Sequence, residues 1–531
     1  MGIRKVNYER CTGCATCVEE CPMDVIRLDR SINKDEMPPC QAACPAGMSM
    51  RDYIYLVVQR RFEEAAALVR NTLVLPGVTG RVCFHPCEED CARRKVDEAV
   101  NIRSLERFVT DYALESAPGP VPKLHNEKIA VVGSGPCGLA AASELARKGY
   151  PVTVFEALPV LGGMLRAGIP EYRLPRDVLE REIDSVIELG VKTLTSTPVC
   201  DLESLFATGY KAVLLAIGAA KSRNLAIPGE DATGVAYGLD FLRDFNLGKG
   251  SRLEGKVAVI GGGNVAVDAA RLALRTGASQ VTIIYRRSRA EMPAIKEEVK
   301  EALAEGVRTK FLAAPVQITR ENGGLCVTCT RMKLGKKGAD GRRQPEPVPD
   351  SEFDITADRV IIAAGEEAEV PSKWGLKLKR GAITTDPTTL ATSRRGVFAG
   401  GDAVTGPGYV IQAIASGKKA AAGINCYLRG EQPGFEEARR VNKPPLKGVD
   451  KKARNTAAHL GIAERRNQAE VEAGFSPEMA LKEADRCMAC GSKAFIKYLR
   501  DCMTCFLCEI DCPEEAIYVS PERERRKPLP W

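Results

Sequence analysis

The chain has 531 residues but only three histidines, His85, His125 and His459. None sits where it would pair with a nucleophile and an orienting acid, which argues against a histidine-based hydrolytic triad. His85 falls between cysteines and reads as a bystander. Long apolar runs are also missing: no stretch approaches the roughly 18 residues that a membrane-spanning helix needs. The opening MGIRKVNYERC has no apolar signal-peptide core and lacks the Ser or Thr of a myristoylation signal. A cytoplasmic protein without a membrane span is expected. Excess charge of one sign is small, with 76 basic and 69 acidic residues and a net charge of +7. No basic tract interleaved with aromatics occurs, so nucleic-acid binding is not expected. A mildly basic face still suits an acidic electron-transfer partner.

Cysteine, by contrast, is abundant, at 20 residues. In a reducing compartment, clustered spacings point to metal rather than disulfides. CTGCATCVEECP from Cys11 and CMTCFLCEIDCP from Cys502 both read C-x2-C-x2-C-x3-C-P. This is the run that binds 4Fe–4S clusters in bacterial ferredoxins, where the fourth cysteine serves the other cluster. Each run therefore calls for a partner, and the two termini are expected to meet as one ferredoxin-like α+β unit. Short strands are expected around each run, in IRKVNY and DVIRLD at one end and FIKYLR and EEAIYVS at the other.

From Glu127 the pattern becomes alternating strands and helices, as in α/β domains. Gly133, Gly135 and Gly138 form G-x-G-x-x-G between the strand KIAVV and a helix. The first glycine permits the tight turn, the second admits a pyrophosphate, and the third lets helix and strand pack closely. Free N–H groups at the helix start then face the phosphates. The following strand ends at Glu156, placed to accept hydrogen bonds from ribose hydroxyls. A second unit has Gly261, Gly263 and Asn264, with Ala266 at the third glycine position, and its next strand ends in Arg286 and Arg287. Guanidinium groups bind a 2′-phosphate that an acid would repel. FAD is expected at the first loop and NADPH at the second. The alternative is that both arginines are solvated strand-end charges and NADH binds. GVFAGGDA delivers Asp402 to a loop before a helix, where it either holds the ribityl chain or merely caps the helix. No C-x4-C redox disulfide accompanies the first loop, and Cys137 within it reads as a small packed residue. Hydride transfer to a flavin needs positioning more than acid–base groups, so no catalytic side chain is expected.

PCQAACPAGMSM, VTGRVCFHPCEEDC, VNIRSLERF, LGGMLRAGIPEYRLP, GGGNVAVDAARLALR, YRRSRAEMPA and GVFAGGDAVTGPGYVIQAI, together with the first glycine loop, resemble the glutamate synthase small-subunit family. The large subunit of NADH-dependent ferredoxin:NADP oxidoreductase and the flavin- and cluster-bearing half of dihydropyrimidine dehydrogenase are similar. The likeness spans about residues 38–430. It implies a helical domain with two 4Fe–4S clusters ahead of FAD and NAD(P)H domains. It also implies FAD contacts from Gly163, Met164, Gly401, Asp402 and Gln412. The family's C-x2-C pair ahead of Cys40 and Cys44 is missing here; a pair in matching context occurs instead at Cys487 and Cys490. The resemblance thus implies one cluster on Cys40, Cys91, Cys487 and Cys490. A second would use Cys44, Cys83, Cys87 and Glu106, where the family has a Glu or Gln; otherwise Glu106 is a surface carboxylate. That relocation tethers both terminal cysteine runs to one place. One cluster is then expected on Cys11, Cys14, Cys17 and Cys512, and another on Cys502, Cys505, Cys508 and Cys21. The alternative is that each run closes its own cluster. Cys137, Cys200, Cys326, Cys329 and Cys426 remain, with Cys326 and Cys329 read as buried thiols in a strand.

The expected architecture is multidomain α/β: two Rossmann-like dinucleotide domains, an α-helical cluster domain and a split ferredoxin-like unit. The expected bounds are 1–30 and 492–531 for the ferredoxin halves and 36–117 for the helical domain. The FAD domain takes 124–240 and 366–430, the NAD(P)H domain 241–365, and 431–491 is a connector returning Cys487 and Cys490. The expected function is an NAD(P)H-dependent electron-transfer subunit with FAD and four clusters, serving a larger oxidoreductase subunit or a ferredoxin within a hetero-oligomer. The alternatives are a glutamate synthase small subunit proper, or a sensor or scaffold in which the clusters are structural staples.

Overall fold

The computed structural model describes the chain apart from residues 1–4, 8–9, 12–15, 24, 30–35, 114–118, 322, 339, 433–438, 441–448, 467, 492, 497–504, 506, 514–515 and 519–531. It divides into two compact units. One comprises residues 1–116, 434–457 and 474–531; the other comprises 117–433 and 458–473. Among the described residues, no helix is long and apolar enough to cross a membrane.

The unit built on residues 117–433 contains two five-stranded parallel sheets. The first has the order Val397–Ala399, Tyr210–Leu215, Lys128–Val132, Val152–Phe155, Lys192–Leu194. The second has the order Arg308–Phe311, Gln280–Tyr285, Lys256–Ile260, Arg359–Ile362, Val235–Tyr237. KIAVV and KVAVI supply a central strand of each sheet, and beyond its first lysine every residue of each is buried. Such continuous apolar runs are what a sheet covered on both faces requires. Each of these strands feeds a 12-residue helix, Pro136–Arg147 or Asn264–Arg275. The 20-residue helix Val410–Arg429 packs on Pro136–Arg147 through Gly417, where a Cβ would lie 2.2 Å from the Cys137 carbonyl oxygen.

An antiparallel ribbon of Ala313–Glu321, Gly324–Lys337 and Arg343–Ala357 extends from the second domain. Residues 458–473 also belong to this unit. The Val471 N–H donates to the Tyr172 carbonyl at 3.0 Å, and Arg465 pairs with Glu301 and Glu305. Part of the expected connector is therefore folded against the dinucleotide-binding unit.

The other unit is helical in its middle. Met50–Val58 buries Met50, Tyr53, Ile54 and Val57, the stripe that 3.6-residue periodicity produces. Pro76–Val82 and Ile102–Tyr112 cross so closely that a Cβ on Gly80 would lie 2.8 Å from the Arg107 Cα. Asn101 caps the second of these helices by accepting the Ser104 N–H.

Sequence ends also meet here. Lys5–Val6 pairs antiparallel with Ile517–Tyr518, and Ile26–Asp29 with Lys493–Ile496. Val6, Cys11, Cys17, Val25, Ile26, Cys508, Cys512, Ala516 and Ile517 share one small core, with Cys21 packed against it.

Candidate functional site

The first glycine loop leaves the strand Lys128–Val132 with Gly133 at φ 104°, and a Cβ there would lie 2.3 Å from the Ala216 carbonyl oxygen. At Gly138 a Cβ would lie 2.0 Å from the Gly133 carbonyl oxygen, so only glycine allows the helix this close. Gly135 is different: a Cβ there would meet nothing within 4 Å. Open space at the one position where a pyrophosphate must approach is a cradle that fits a dinucleotide.

Glu156, buried, accepts the Ser134 N–H at 2.9 Å, the Ser134 hydroxyl at 2.6 Å and the Leu158 N–H at 2.8 Å. Ser134 in turn accepts the Gly162 N–H at 3.0 Å. This serine ties the loop that carries Gly163 and Met164 to the glycine loop, and a Cβ on Gly163 would lie 2.8 Å from the Gly135 Cα. Sequence reasoning missed Ser134, whose only signal was its place between the first two glycines.

Asp402 starts a short helix after the strand Val397–Ala399, preceded by Gly401 at φ 64°. Burial raises its carboxyl to about 6, opposed by the Gly408 N–H. Gln412 turns its side-chain oxygen back to the Tyr409 N–H at 3.0 Å. Cys137 packs under this loop. Burial pushes its thiol up to about 12, and a Cβ on Gly400 would lie 2.9 Å from its sulfur. It is the packed residue the sequence suggests.

The second loop repeats the plan. Gly261 has φ 148°, and a Cβ there would lie 2.1 Å from the Ala363 carbonyl oxygen, while Gly263 faces open space. Ala266 is fully buried, so a methyl group fits where the first loop tolerates none. Asn264 accepts the Ile295 N–H at 2.9 Å. The two arginines part company. Arg287 is buried, donates to the Arg343 carbonyl at 2.8 Å and lies 3.7 Å from Asp340, so it anchors the antiparallel ribbon. Arg286 is exposed.

Cysteines from distant parts of the sequence converge in the helical domain. The Cys40 thiol is pushed well up by burial and by Cys91, Cys487 and Cys490 beside it. Cys490 is likewise raised by burial, Cys487 and Cys91. A second group joins Cys44, Cys83, Cys87 and Glu106. Cys83 is raised to about 12 by burial, then by Glu106 and Cys44. Cys87 is raised by burial and by Glu88, Cys83, Cys40 and Cys44. Glu106 is a buried carboxyl, not a surface one. Burial lifts it to about 7, against the Thr79 hydroxyl that donates to it and Arg103. Among the described residues no three such side chains close on a single metal ion. Buried thiols that make their neighbours harder to ionise are a donor set whose negative charge an iron–sulfur cluster would offset. In the terminal region Cys11, Cys17, Cys21, Cys508 and Cys512 gather in one core, and Cys505 is half-buried. Cys14 and Cys502 lie outside the described residues.

Residues 127–417 match the family model for pyridine nucleotide-disulphide oxidoreductases, more than half of the chain. The chain belongs to that family. Residues 29–117 match dihydropyrimidine dehydrogenase domain II with its 4Fe-4S cluster, and residues 4–27 a 4Fe-4S binding domain. The chain is 43% identical over 500 residues to the beta subunit of an NADP(+)-dependent formate dehydrogenase of Moorella thermoacetica, covering 85% of this chain and 70% of that one. It is 39% identical over 503 residues to the beta subunit of the NADPH-Fe(3+) oxidoreductase of Geobacter sulfurreducens, covering 85% and 75%. The glutamate synthase small chain of Azospirillum brasilense is 35% identical over 420 residues, covering 74% and 87%. Among solved structures, FprA of Mycobacterium tuberculosis in complex with NADPH matches with TM-score 0.50 at 19% identity, over 59% of this chain and 88% of that one, a likeness of fold alone.

As a family member, the chain is an NAD(P)H-dependent oxidoreductase with FAD- and NADP-binding folds and 4Fe–4S domains, and the resemblance read from its motifs stands. No histidine competes for the chemistry. His125 stacks on Tyr150 with ring centroids 4.3 Å apart, and His459 lies 3.3 Å from Glu301. The His85 N–H donates to the Cys83 sulfur at 3.3 Å. Cys326 and Cys329 are buried in one strand, and their odd separation puts them on opposite faces.

Proposed function

We propose that the chain is the NAD(P)H-handling electron-transfer subunit of a larger oxidoreductase, passing electrons to or from a partner subunit or ferredoxin. The observation that carries this reading is the gathering of Cys40, Cys91, Cys487 and Cys490 on a chain that also holds two complete dinucleotide loops. Three relatives bear on the acceptor. The formate dehydrogenase and ferric-iron oxidoreductase beta subunits align with 85% of this chain, and the glutamate synthase small chain with 74%. The longer alignments favour an electron-transfer beta subunit over a glutamate synthase small subunit.

FAD, when bound, supplies the conversion between a two-electron hydride and the single electrons that clusters carry. The chain's own residues bind and orient. Gly133, Gly135 and Gly138 admit the pyrophosphate, and Glu156 takes the ribose hydroxyls. Gly163, Met164, Gly401, Asp402 and Gln412 line the flavin side. Gly261, Gly263 and Asn264 admit the second dinucleotide. Arg286 is the residue free of a fold-holding role that can take a 2′-phosphate, which narrows the NADPH reading to one guanidinium. Four 4Fe–4S clusters are assigned. Two lie in the helical domain, on Cys40, Cys91, Cys487 and Cys490 and on Cys44, Cys83, Cys87 and Glu106. Two lie in the terminal unit, on Cys11, Cys14, Cys17 and Cys512 and on Cys502, Cys505, Cys508 and Cys21.

The test is anaerobic titration with NADPH and NADH, followed by visible absorbance of the flavin and electron paramagnetic resonance of the clusters. NADPH should bleach the flavin and develop cluster signals in the same titration. Flavin reduction with no cluster signal would refute the electron-transfer role.

A further inference from the structure

Cys487 and Cys490 come to Cys40 and Cys91 from the far end of the chain, and the residue just before them is unusual. Arg486 is a guanidinium only 1% exposed. It donates to the Ala99 carbonyl at 3.0 Å, the Glu98 carbonyl at 2.6 Å, the Lys452 carbonyl at 3.1 Å, Glu483 at 2.6 Å and Asp97 at 3.0 Å. Its own carbonyl accepts from Arg93 at 2.8 Å. Arg93, also buried, forks onto Asp97 at 2.8 and 2.7 Å and reaches the Asp450 carbonyl at 2.6 Å. Glu483 is fully buried and accepts the backbone N–H groups of Asn101 and Asn455, each at 2.7 Å. Arg454 closes the set on Glu88 at 2.7 Å.

Three cations, Arg93, Arg454 and Arg486, thus face three anions, Glu88, Asp97 and Glu483. They come from three stretches far apart in sequence: residues 88–101, 450–455 and 483–486. Removing one member strands an opposite charge in the interior, which costs far more than the pair contributes when whole. Partial docking is therefore disfavoured. The group at Cys44, Cys83, Cys87 and Glu106 takes every candidate ligand from residues before 107, and among the described residues the returning chain reaches it only through Arg454 on Glu88 beside Cys87.

We propose that Arg486 and Arg93 are positioning residues of an all-or-none latch, through which Cys487 and Cys490 complete the set with Cys40 and Cys91 only when the 450–455 and 483–486 segments dock together. The inference rests on the reading of those four cysteines as one cluster site. One cluster of the helical domain is then conditional on the returning chain, and the other is not.

The experiment uses the full chain purified anaerobically as wild type, Cys487→Ser, Arg486→Met and the double variant Arg486→Met/Glu483→Gln. Iron and FAD are counted per chain, and FAD reports that the dinucleotide-binding unit is folded. Arg486→Met should match Cys487→Ser, each losing about four irons, the content of one cluster, with FAD unchanged. The double variant, which removes one charge of each sign, should regain more than half of the iron lost by Arg486→Met. Full iron in Arg486→Met beside a loss in Cys487→Ser would overturn the latch. A double variant no better than the single one would overturn it as well. Full iron in Cys487→Ser would instead sink the cluster reading beneath it.

Discussion

The dinucleotide loops and the cysteine groups of this chain are built on opposite plans. Each loop is a local object: one strand, one turn and one helix within about thirty residues, the size of the unit that carries such fingerprints. Its glycines are fixed by close approaches, as at Gly133 against Ala216 and Gly261 against Ala363. The cysteine groups are non-local. Cys40 meets Cys490, and Val6 pairs with Ile517. A local site can form as soon as its own segment folds, whereas a non-local one needs the whole unit to close first. The lesson is that loss of the metal should damage the cysteine-bearing unit and spare the other.

Iron removal gives the largest contrast. The core around Cys11, Cys17, Cys508 and Cys512 is small, and cores of that size need a staple. Chelation under reducing conditions should lower hydrogen-exchange protection of residues 5–29 and 493–518 by ~100-fold, about 3 kcal/mol. Residues 128–156 should be unaffected; equal loss in both would erase the distinction between the two plans.

Breaking the local plan comes next. In Gly138→Ala the methyl would meet the Gly133 carbonyl oxygen at 2.0 Å. The variant should lose about 2 kcal/mol of stability in its unit and most of its FAD, with iron content retained. Retained FAD would show that the loop yields more easily than its packing implies.

Arg286→Ala sharpens the second loop. NADPH should bind about tenfold more weakly, near 1.4 kcal/mol, with NADH unchanged, as read by calorimetry. An equal effect on both nucleotides would mean that Arg286 does not see the 2′-phosphate.

The smallest effect is a pH dependence. Asp402 is raised to about 6 by burial, so the folded protein holds its proton more tightly than the unfolded chain does. Its contribution to stability is present at low pH and declines as pH rises from the ordinary carboxylate range through about 6. Urea midpoints of FAD-free protein at pH 4, 6 and 8 should show that decline, and Asp402→Asn should flatten it. A midpoint that climbs with pH in the wild type and is unchanged in the variant would contradict the burial of this carboxyl.

What was legible in the sequence follows the same division. The two parallel-sheet domains and their glycine loops could be read because strand, turn and helix chemistry is written in consecutive residues. Arg287 could not be separated from Arg286, because its burial depends on Arg343 and the antiparallel ribbon far along the chain. The convergence of Cys487 and Cys490 with Cys40 needed a family likeness, since no spacing rule links residues so distant. Glu483 and Arg486 sit in a charged, proline-punctuated connector and Arg93 in the arginine pair after Cys91, and nothing in either local pattern marks them as buried. Only the fold shows that they are buried and balanced.

The most direct test of the central claim, that distant cysteines close on shared clusters, is iron and flavin analysis of anaerobically purified full-length protein. The account predicts about sixteen irons and one FAD per chain, on four irons per cluster. About eight irons beside one FAD would leave the terminal cysteine runs empty and contradict it.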